Sequence, residues 1–466
     1  MPALRMVYTT VDSGLGEYWM ANRTARIFAC LLATAIGGCA GGSRPLPSTG
    51  PQTALGTQGW TSTAAPAKKK SSSPIQHVVV IIQENRSFDN LFQGLKGADT
   101  VSVGENSSGQ SVPLVPVSLA AHYDIEHLSY DYFEACNGTG SLPGTDCQMN
   151  GFDLENYGGT PYGYVPHSET KPYFAMAKDY VVGDRMFTSH IDASFVSHQY
   201  IIAGQASSSV DLPSGAWGCG GTGSDTEPTL TQQRTYGPTQ FPCFTNETLA
   251  NELDSAGLSW RFYDQQNSGG DLNGYMAIQS IYNGPDWLKD VVPQAAQFIT
   301  DVGSGTLADV TWITPSLKDS DHAGEGSKTG PDWVASLVNA VGESEFWDST
   351  VVFIMWDEWG GWYDHVPPPF VDYDGLGMRV PLVVISPYAK KGYVSHVQYE
   401  HGSILRFIED TFNLGRLAAS DTRATSPSAD CFNWSSPPRP FKAIKTKLKA
   451  AYFLHEPLDK RAADDE

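Results

Sequence analysis

Basic residues are scarce in this chain. Its 466 residues include 30 Lys and Arg against 51 Asp and Glu, which gives a formal net charge of −21 at pH 7. A protein that binds nucleic acid needs a basic face to neutralise phosphates, so the composition does not favour that class. The same charge would repel an anionic small molecule unless its site held a local positive charge, and a bound metal ion is the simplest source of one.

Several sequence motifs that mark common enzyme and metal sites are also missing. The seven cysteines include no C-x-x-C spacing, which argues against a structural zinc site. No G-x-S-x-G elbow is present, so an ordinary lipase or esterase is not expected. Neither H-E-x-x-H nor a P-loop occurs.

The N-terminal region is typical of an export signal rather than of folded structure. Arg23 and Arg26 precede an apolar run at 27–36 that is too short to span a bilayer as a helix. The run ends in Ile-Gly-Gly-Cys, which resembles the lipobox of bacterial lipoproteins, where the cysteine is lipidated. An ordinary secretory signal cleaved nearby is the alternative. We therefore expect an exported protein, either secreted or held in the cell envelope by a membrane tether through Cys39.

Composition divides the chain into four parts. Residues 1–39 are predicted to be the signal peptide with its lipobox-like end, and residues 40–73, rich in Ser, Gly and Pro, a flexible linker. Residues 74–455 are predicted to be a single domain, and residues 456–466 a charged tail.

Five cysteines lie beyond the signal region, and export would permit them to form disulfides. Cys136–Cys147 and Cys219–Cys243 are the most economical pairings, because each would close a Gly-rich loop. Cys431 would then be left over.

From residue 75 onward, apolar segments of strand length alternate with helical patterns. The segments 75–83, 310–314 and 351–356 are mainly apolar and of strand length, and 331–347 has the periodicity of an amphipathic helix. Continuous apolar strands that alternate with helices predict an α/β fold, with a mainly parallel central sheet and helices on both faces.

Polar side chains follow three of the predicted strands. These side chains are Glu84 and Asn85, then Asp319, Asp321 and His322, then Asp357 and Glu358. In open parallel sheets, ligands bind beyond the carboxyl ends of the strands. Carboxylate and amide oxygens suit a divalent cation. A single acidic residue after a strand is more often a helix cap or a solvated loop residue, but the convergence of three strands favours a metal site.

Ser194 stands before a predicted helix, in the segment DASFVSHQYIIAGQ. A serine at this position is commonly a helix N-cap. The same position also lies in the positive field of a helix N-terminus, where a phosphate could bind, and a metal ion beside the hydroxyl would make it a nucleophile. We expect His198, on that helix, to be structural.

Six ordered segments resemble one known family. The segments are HVVVIIQENRSFDNLFQG, DIEHLSYDYF with the following MNGF, DRMFTSHIDASFVSHQYIIAGQ, DSDHAGEGSKTGPDWVASLVNAV, TVVFIMWDEWGGWYDHVPPP and GMRVPLVVISPYAKKGYVSHVQYEHGSILRFIE. They resemble the motifs of the bacterial phospholipase C and acid phosphatase phosphoesterases, which have an alkaline-phosphatase-like fold. Two positions depart from the family: Ser197 stands where it usually has Asn, and Asp192-Ala193 where it often has Gly-Pro.

The resemblance implies a mechanism. Ser194 would attack phosphorus and form a phosphoseryl intermediate, while His127 and His322 would bind the phosphoryl oxygens, and one of them would protonate the leaving group. One divalent metal ion would be held by the residues Glu84, Asn85, Asp357 and Glu358. The expected substrate is a phospholipid or a small phosphate ester, with phospholipase C-like activity favoured. An acid phosphatase, or a catalytically inactive surface-binding protein on the same scaffold, is the alternative.

Overall fold

The computed structural model describes residues 73–155, 158–191, 193–264 and 272–457. The predicted signal peptide, nearly all of the predicted linker, Asp192 and most of the predicted tail lie outside these ranges. None of the helices in the described ranges has both the length and the apolar character needed to cross a bilayer.

Thirteen strands and twelve α-helices lie in the described ranges from residue 77 onward. The strands are β1 His77–Gln83, β2 Val103–Glu105, β3 Ser111–Pro113, β4 Val115–Pro116, β5 Gly163–Tyr164, β6 Val181–Phe187, β7 Trp260–Tyr263, β8 Val291–Val292, β9 Val310–Ile313, β10 Thr350–Trp356, β11 Arg379–Ile385, β12 Tyr393–Ser395 and β13 Tyr399–Glu400. The α-helices are α1 Phe88–Phe92, α2 Ser129–Cys136, α3 Lys171–Asp179, α4 Ser194–Ala203, α5 Leu249–Ala256, α6 Gln279–Tyr282, α7 Asp286–Asp290, α8 Gln297–Gly303, α9 Gly330–Gly342, α10 His401–Phe412, α11 Ala419–Arg423 and α12 Ala450–Leu454.

The main sheet is mostly parallel. Within the described chain it has nine strands in the order β12-β6-β11-β10-β1-β9-β7-β8, with β13 also paired to β6. At its centre β1 runs parallel to both β10 and β9. All seven residues of β10 are buried, and so are all seven of β11. Because successive side chains of a strand point to opposite faces, the sheet is covered on both faces. The predicted α/β class with a mainly parallel sheet is confirmed.

One strand in the middle of the sheet runs the other way. β11 pairs antiparallel with β10 on one side and with β6 on the other, so that β6 and β10 share a direction. The ladder between β11 and β6 shifts register between Val380 and Leu382, and Pro381 stands at the shift. Proline has no N–H to donate to a ladder, and a bulge is where a sheet tolerates it.

The long segments that follow β1 and α4 pack into a second apolar cluster. Its buried members include Cys136, Phe152, Leu230, Trp359 and Met378. The long segments after β1 and α4 and the segment after β10 therefore share a small apolar core that is separate from the main one.

Both predicted disulfides are present in the long segments after β1 and α4. Cys136–Cys147 and Cys219–Cys243 join cysteines 11 and 24 residues apart. Cys431 forms no disulfide with another described cysteine and is buried, and burial raises the pKa of its thiol to about 12.

The two disulfides should differ in their effect on stability. Closing the 24-residue loop restricts the unfolded chain more than closing the 11-residue loop. We expect the Cys219→Ala/Cys243→Ala variant to lose about 3.5 kcal/mol of unfolding free energy and Cys136→Ala/Cys147→Ala about 2.8 kcal/mol, measured by urea unfolding. A clearly larger loss for the shorter loop would contradict the expectation.

Candidate active site

Three strands of the same direction end at one edge of the sheet and deliver the central residues of the site. β1 leads into Glu84 and Asn85, and β10 leads into Asp357 and Glu358. β6 leads through a short loop to Ser194, the first residue of α4. All five residues are fully buried. The structure therefore brings the carboxyl ends of β1, β6 and β10 together, whereas the sequence predicts such a meeting for β1, β9 and β10.

The turn after β1 is built around Asn85, whose backbone is left-handed, with φ of 51°. Asn tolerates this conformation better than most residues. Its backbone N donates to Asp357 Oδ1 at 3.1 Å, which joins the ends of β1 and β10. Gly360 packs against this turn with φ of 63°, and a Cβ at Gly360 would clash with the backbone oxygen of Asn85. A residue with a side chain at position 360 would therefore displace the turn.

Two of the predicted metal ligands, Glu84 and Asp357, lie beside His198. His198 Nε2 is 3.4 Å from Glu84 Oε1 and 3.8 Å from Asp357 Oδ2. The sequence interpretation assigned His198 a structural role, and its place in this cluster is a finding of the structure. The signal that could have found it is the spacing from Ser194, because residues four apart lie on the same face of a helix.

The other two predicted ligands, Asn85 and Glu358, lie beside His127. His127 Nε2 is 2.9 Å from Asn85 Nδ2 and 3.0 Å from Glu358 Oε1. Its Nδ1 donates to the backbone oxygen of Ile125 at 2.7 Å, which fixes the ring. The second oxygen of Glu358 accepts from Gly360 N at 2.9 Å.

His322 completes the set of imidazoles. Its ring centroid is 6.2 Å from that of His127. Its Nδ1 donates to the backbone oxygen of Ala323 at 2.5 Å and lies 3.6 Å from Asp124 Oδ2. His127 and His322, which the family resemblance assigns to the phosphoryl oxygens, are therefore neighbours.

Ser194 is not an N-cap. The cap residue of α4 is Ala193, and α4 has no side-chain cap hydrogen bond. The Ser194 hydroxyl is buried and has no hydrogen-bond partner in the described part of the chain. The capping interpretation of Ser194 is therefore not what the structure shows.

Asp321 has a different surrounding from the other predicted carboxylates. Its Oδ2 accepts from Tyr173 OH at 2.7 Å and from Trp356 Nε1 at 3.1 Å. Its backbone N donates to Gln83 Oε1 at 2.9 Å. Asp321 thus ties the loop that carries His322 to the ends of β1 and β10.

A family model matches residues 75–415 of the chain, under the description Phosphoesterase family. The chain belongs to this family. Curated relatives include non-hemolytic phospholipases C from Burkholderia pseudomallei (25% identical, covering 75% of this chain and 57% of that protein) and Pseudomonas aeruginosa (25%, 90% and 64%). Phospholipase C B of Mycobacterium tuberculosis is 24% identical and covers 79% of both chains. This phosphoesterase therefore spans less than two thirds of the length of the first two relatives.

Solved structures similar to this phosphoesterase include a protein in the alkaline phosphatase superfamily from Vibrio parahaemolyticus. It is 9% identical, covers 77% of this chain and 72% of its own, and has a TM-score of 0.38. Phosphonate monoester hydrolase from Silicibacter pomeroyi is 12% identical over 55% of this chain and 70% of its own, with a TM-score of 0.31. These TM-scores are too low to add to the description of the fold or the site.

Buried carboxylates that lie close together dominate the electrostatics of this candidate site. Burial, together with the charges of Glu84 and Glu358, raises the pKa of Asp357 well above its ordinary value. Burial lowers the pKa of His198, although the neighbouring carboxylates oppose this. Burial also lowers the pKa of His401, at the start of α10, to about 3. Three carboxylates crowded in a buried space favour a cation among them, so the residues present fit a divalent metal ion.

Proposed function

We propose that this protein is a metal-dependent phosphoesterase that hydrolyses phosphodiester or phosphomonoester bonds, with Ser194 as the nucleophile. One observation carries the proposal. A cluster of buried carboxylates, Glu84, Asp357 and Glu358, lies at the same sheet edge as a serine whose buried hydroxyl has no partner among the described residues. Family membership supports the same reaction class.

Each residue has a defined part in the proposed reaction. The metal ion, when bound, would neutralise the phosphoryl oxygens and lower the pKa of the Ser194 hydroxyl. The residues that would hold it are Glu84, Asn85, Asp357 and Glu358. The free N–H groups at the start of α4 favour a phosphoryl group beside Ser194.

The bonds change in two steps. Ser194 Oγ gives its proton to solvent and bonds to phosphorus while the bond from phosphorus to the leaving oxygen breaks, and a protonated imidazole, His127 or His322, gives that oxygen a proton. Water then attacks phosphorus and gives a proton back to the same imidazole. The bond from phosphorus to Ser194 Oγ breaks, and Ser194 Oγ takes a proton from solvent. Both imidazoles are held through Nδ1, which donates to the backbone oxygen of Ile125 in one ring and of Ala323 in the other, so Nε2 is the ring nitrogen that would exchange the proton.

We favour phospholipase C-like activity on a phospholipid, because the relatives reported above are named phospholipases C. A monoester phosphatase is the alternative from the same family resemblance. The disulfides Cys136–Cys147 and Cys219–Cys243 support export, since such bonds persist in oxidising compartments. A membrane tether through Cys39 belongs to the same proposal.

Two chromogenic substrates separate the candidate activities. Purified protein is assayed with p-nitrophenylphosphorylcholine, a diester, and with p-nitrophenyl phosphate, a monoester, each before and after exhaustive chelation. We expect at least about tenfold higher kcat/KM on the diester and recovery of activity when a divalent ion is added back. The reverse preference identifies the phosphatase. Turnover that survives complete metal removal contradicts the metal-dependent mechanism, and no turnover of either substrate favours an inactive binding protein.

A further inference from the structure

We propose that His198 is itself a metal ligand, so that Glu84, Asp357 and His198 form a mixed carboxylate and imidazole site. Such a site would take a borderline first-row ion such as Mn²⁺, Fe²⁺, Co²⁺ or Zn²⁺ in preference to Mg²⁺ or Ca²⁺. This inference rests on the proposed metal-dependent function and specifies which chemical class of ion that function uses.

The distances fit a shared ion. One atom from each of Glu84, His198 and Asp357 lies within 4.8 Å of the other two. His198 Nε2 is 3.4 Å from the Glu84 carboxylate and 3.8 Å from that of Asp357. Ligand-to-metal distances of about 2.0–2.2 Å place two ligands of a tetrahedral ion roughly 3.4 Å apart. The distances from His198 Nε2 to the two carboxylates are thus close to those between two ligands of one metal ion.

Two of the three ligand atoms that would face the ion make no hydrogen bond to a described residue. His198 Nε2 and Asp357 Oδ2 are buried and have no hydrogen-bond partner within the described ranges. The second oxygen of Asp357 is occupied, since Oδ1 accepts from Asn85 N. Buried polar atoms are as a rule paired. A bound cation would satisfy both orphaned atoms together.

The position of α4 explains how His198 is held in place. Ser194 and His198 lie one turn apart, so the proposed nucleophile and the imidazole are presented by the same face of the helix. Ser197 Oγ donates to the backbone oxygen of Asp357 at 2.5 Å, which ties α4 to the end of β10. Gly274 packs so closely on the helix that a Cβ there would clash with the backbone oxygen of His198.

Ligand chemistry then decides which ion is preferred. Mg²⁺ and Ca²⁺ are bound almost wholly by oxygen, whereas imidazole suits Zn²⁺, Fe²⁺ and related ions. The His127 ring is not equivalent to His198, because Asn85 Nδ2 and Glu358 Oε1 both lie within 3.0 Å of its Nε2. We therefore assign the nitrogen ligand of the metal ion to His198 on α4.

The test compares three variants of the full chain, His198→Gln, His127→Gln and His401→Gln. His401 is the matched control, since it is also buried and carries an imidazole on a neighbouring helix. Each protein is stripped of metal and loaded with Cu²⁺ for electron spin-echo measurements of ¹⁴N coupling, and Mn²⁺ and Mg²⁺ affinities are measured by calorimetry. Hydrolysis of p-nitrophenylphosphorylcholine and p-nitrophenyl phosphate is followed in the same wild-type preparation.

We expect ¹⁴N coupling from imidazole in the wild type and in His401→Gln, and its loss in His198→Gln. In His198→Gln, Mn²⁺ binding should also weaken at least about tenfold, and the preference for Mn²⁺ over Mg²⁺ should fall. Coupling that survives in His198→Gln, coupling lost only in His127→Gln, or equal losses of affinity in His198→Gln and His401→Gln overturn the inference. If His198→Gln does not fold, the other proteins still test the inference. Absence of nitrogen coupling in the wild type overturns the inference, and coupling from ¹⁵N-labelled histidine that persists in His127→Gln supports it. Metal-dependent hydrolysis without nitrogen coupling rejects His198 while the proposed function stands, whereas a wild type that neither binds metal nor hydrolyses either substrate rejects both.

Discussion

Ser194→Ala is expected to lower kcat for the preferred p-nitrophenyl substrate by at least about 10⁴-fold, because alanine has no oxygen to bond to phosphorus. The fold should be unaffected. The Ser194 hydroxyl makes no hydrogen bond to a described residue, and alanine is the better helix former at a helical position. Steady-state kinetics, circular dichroism and thermal melting of the purified variant provide the measurement.

A matched control is available on another helix. Ser336 on α9 is also buried, and its hydroxyl donates to the Asp332 backbone oxygen at 2.9 Å. Ser336→Ala should keep wild-type kcat within about twofold and lose no more than about 1 kcal/mol of stability. Near-normal turnover by a well-folded Ser194→Ala protein would remove Ser194 from the mechanism.

Asp357→Asn is expected to change stability in opposite directions with and without metal. In metal-free protein, at a pH above the folded-state pKa of Asp357, the substitution removes a buried charge that faces Glu84 and Glu358, so the melting temperature should rise. In metal-loaded protein it removes a charged ligand, so the stabilisation by metal should fall sharply. Hydrolysis should drop at least about 10³-fold, which corresponds to roughly 4 kcal/mol of transition-state stabilisation.

The pH dependence of the metal-free protein follows from the same carboxylate. The pKa of Asp357 is raised in the folded state above its ordinary value of 3.8. Its contribution to stability is therefore fully present below pH 3.8 and is lost as pH rises through the folded-state pKa. Melting in chelator from pH 4 to 9 should show a steeper decline for the wild type than for Asp357→Asn.

Asp321 provides the comparison for this experiment. It is equally buried, but its Oδ2 accepts hydrogen bonds from Tyr173 and Trp356. Asp321→Asn should lower stability with and without metal and leave the stabilisation by metal unchanged. A metal-free Asp357→Asn protein less stable than the wild type at every pH would contradict the proposed crowding of charge.

The long buried elements of the fold are predictable from sequence, and their direction is not. β1, β9 and β10 are mainly apolar at successive positions, and such segments can be recognised because both faces of the sheet are covered. β11 has the same kind of sequence, yet it runs antiparallel to its neighbours. A strand that is buried on both faces has apolar side chains whichever way it runs, so its sequence does not indicate whether it is parallel or antiparallel to its neighbours. The two-residue strands β8 and β13 are too short for any pattern.

Some residues of the candidate site are also predictable from sequence, and others are not. Glu84 and Asp357 can be predicted because each directly follows a recognisable strand. The sequence predicts a structural role for His198, because a histidine inside an apolar helix is more often a packed core residue. Its spacing from Ser194 places both on one face of α4, but only the position of α4 against β10 brings His198 to Asp357. Asp321 looks like Asp357 in sequence, and its partner Tyr173 lies 148 residues away in the chain.

The reversed strand has a consequence for how this scaffold can diversify. Because β11 runs against β10, the connection between them leaves and re-enters the sheet at the edge where Asp357 and Glu358 lie. Apart from Gly360 and core residues such as Trp359 and Met378, residues 359–378 could therefore change in length or composition while the strands keep their pairing. We expect natural members of this lineage to differ in substrate preference largely through that connection, while the strands that hold the reacting groups stay the same.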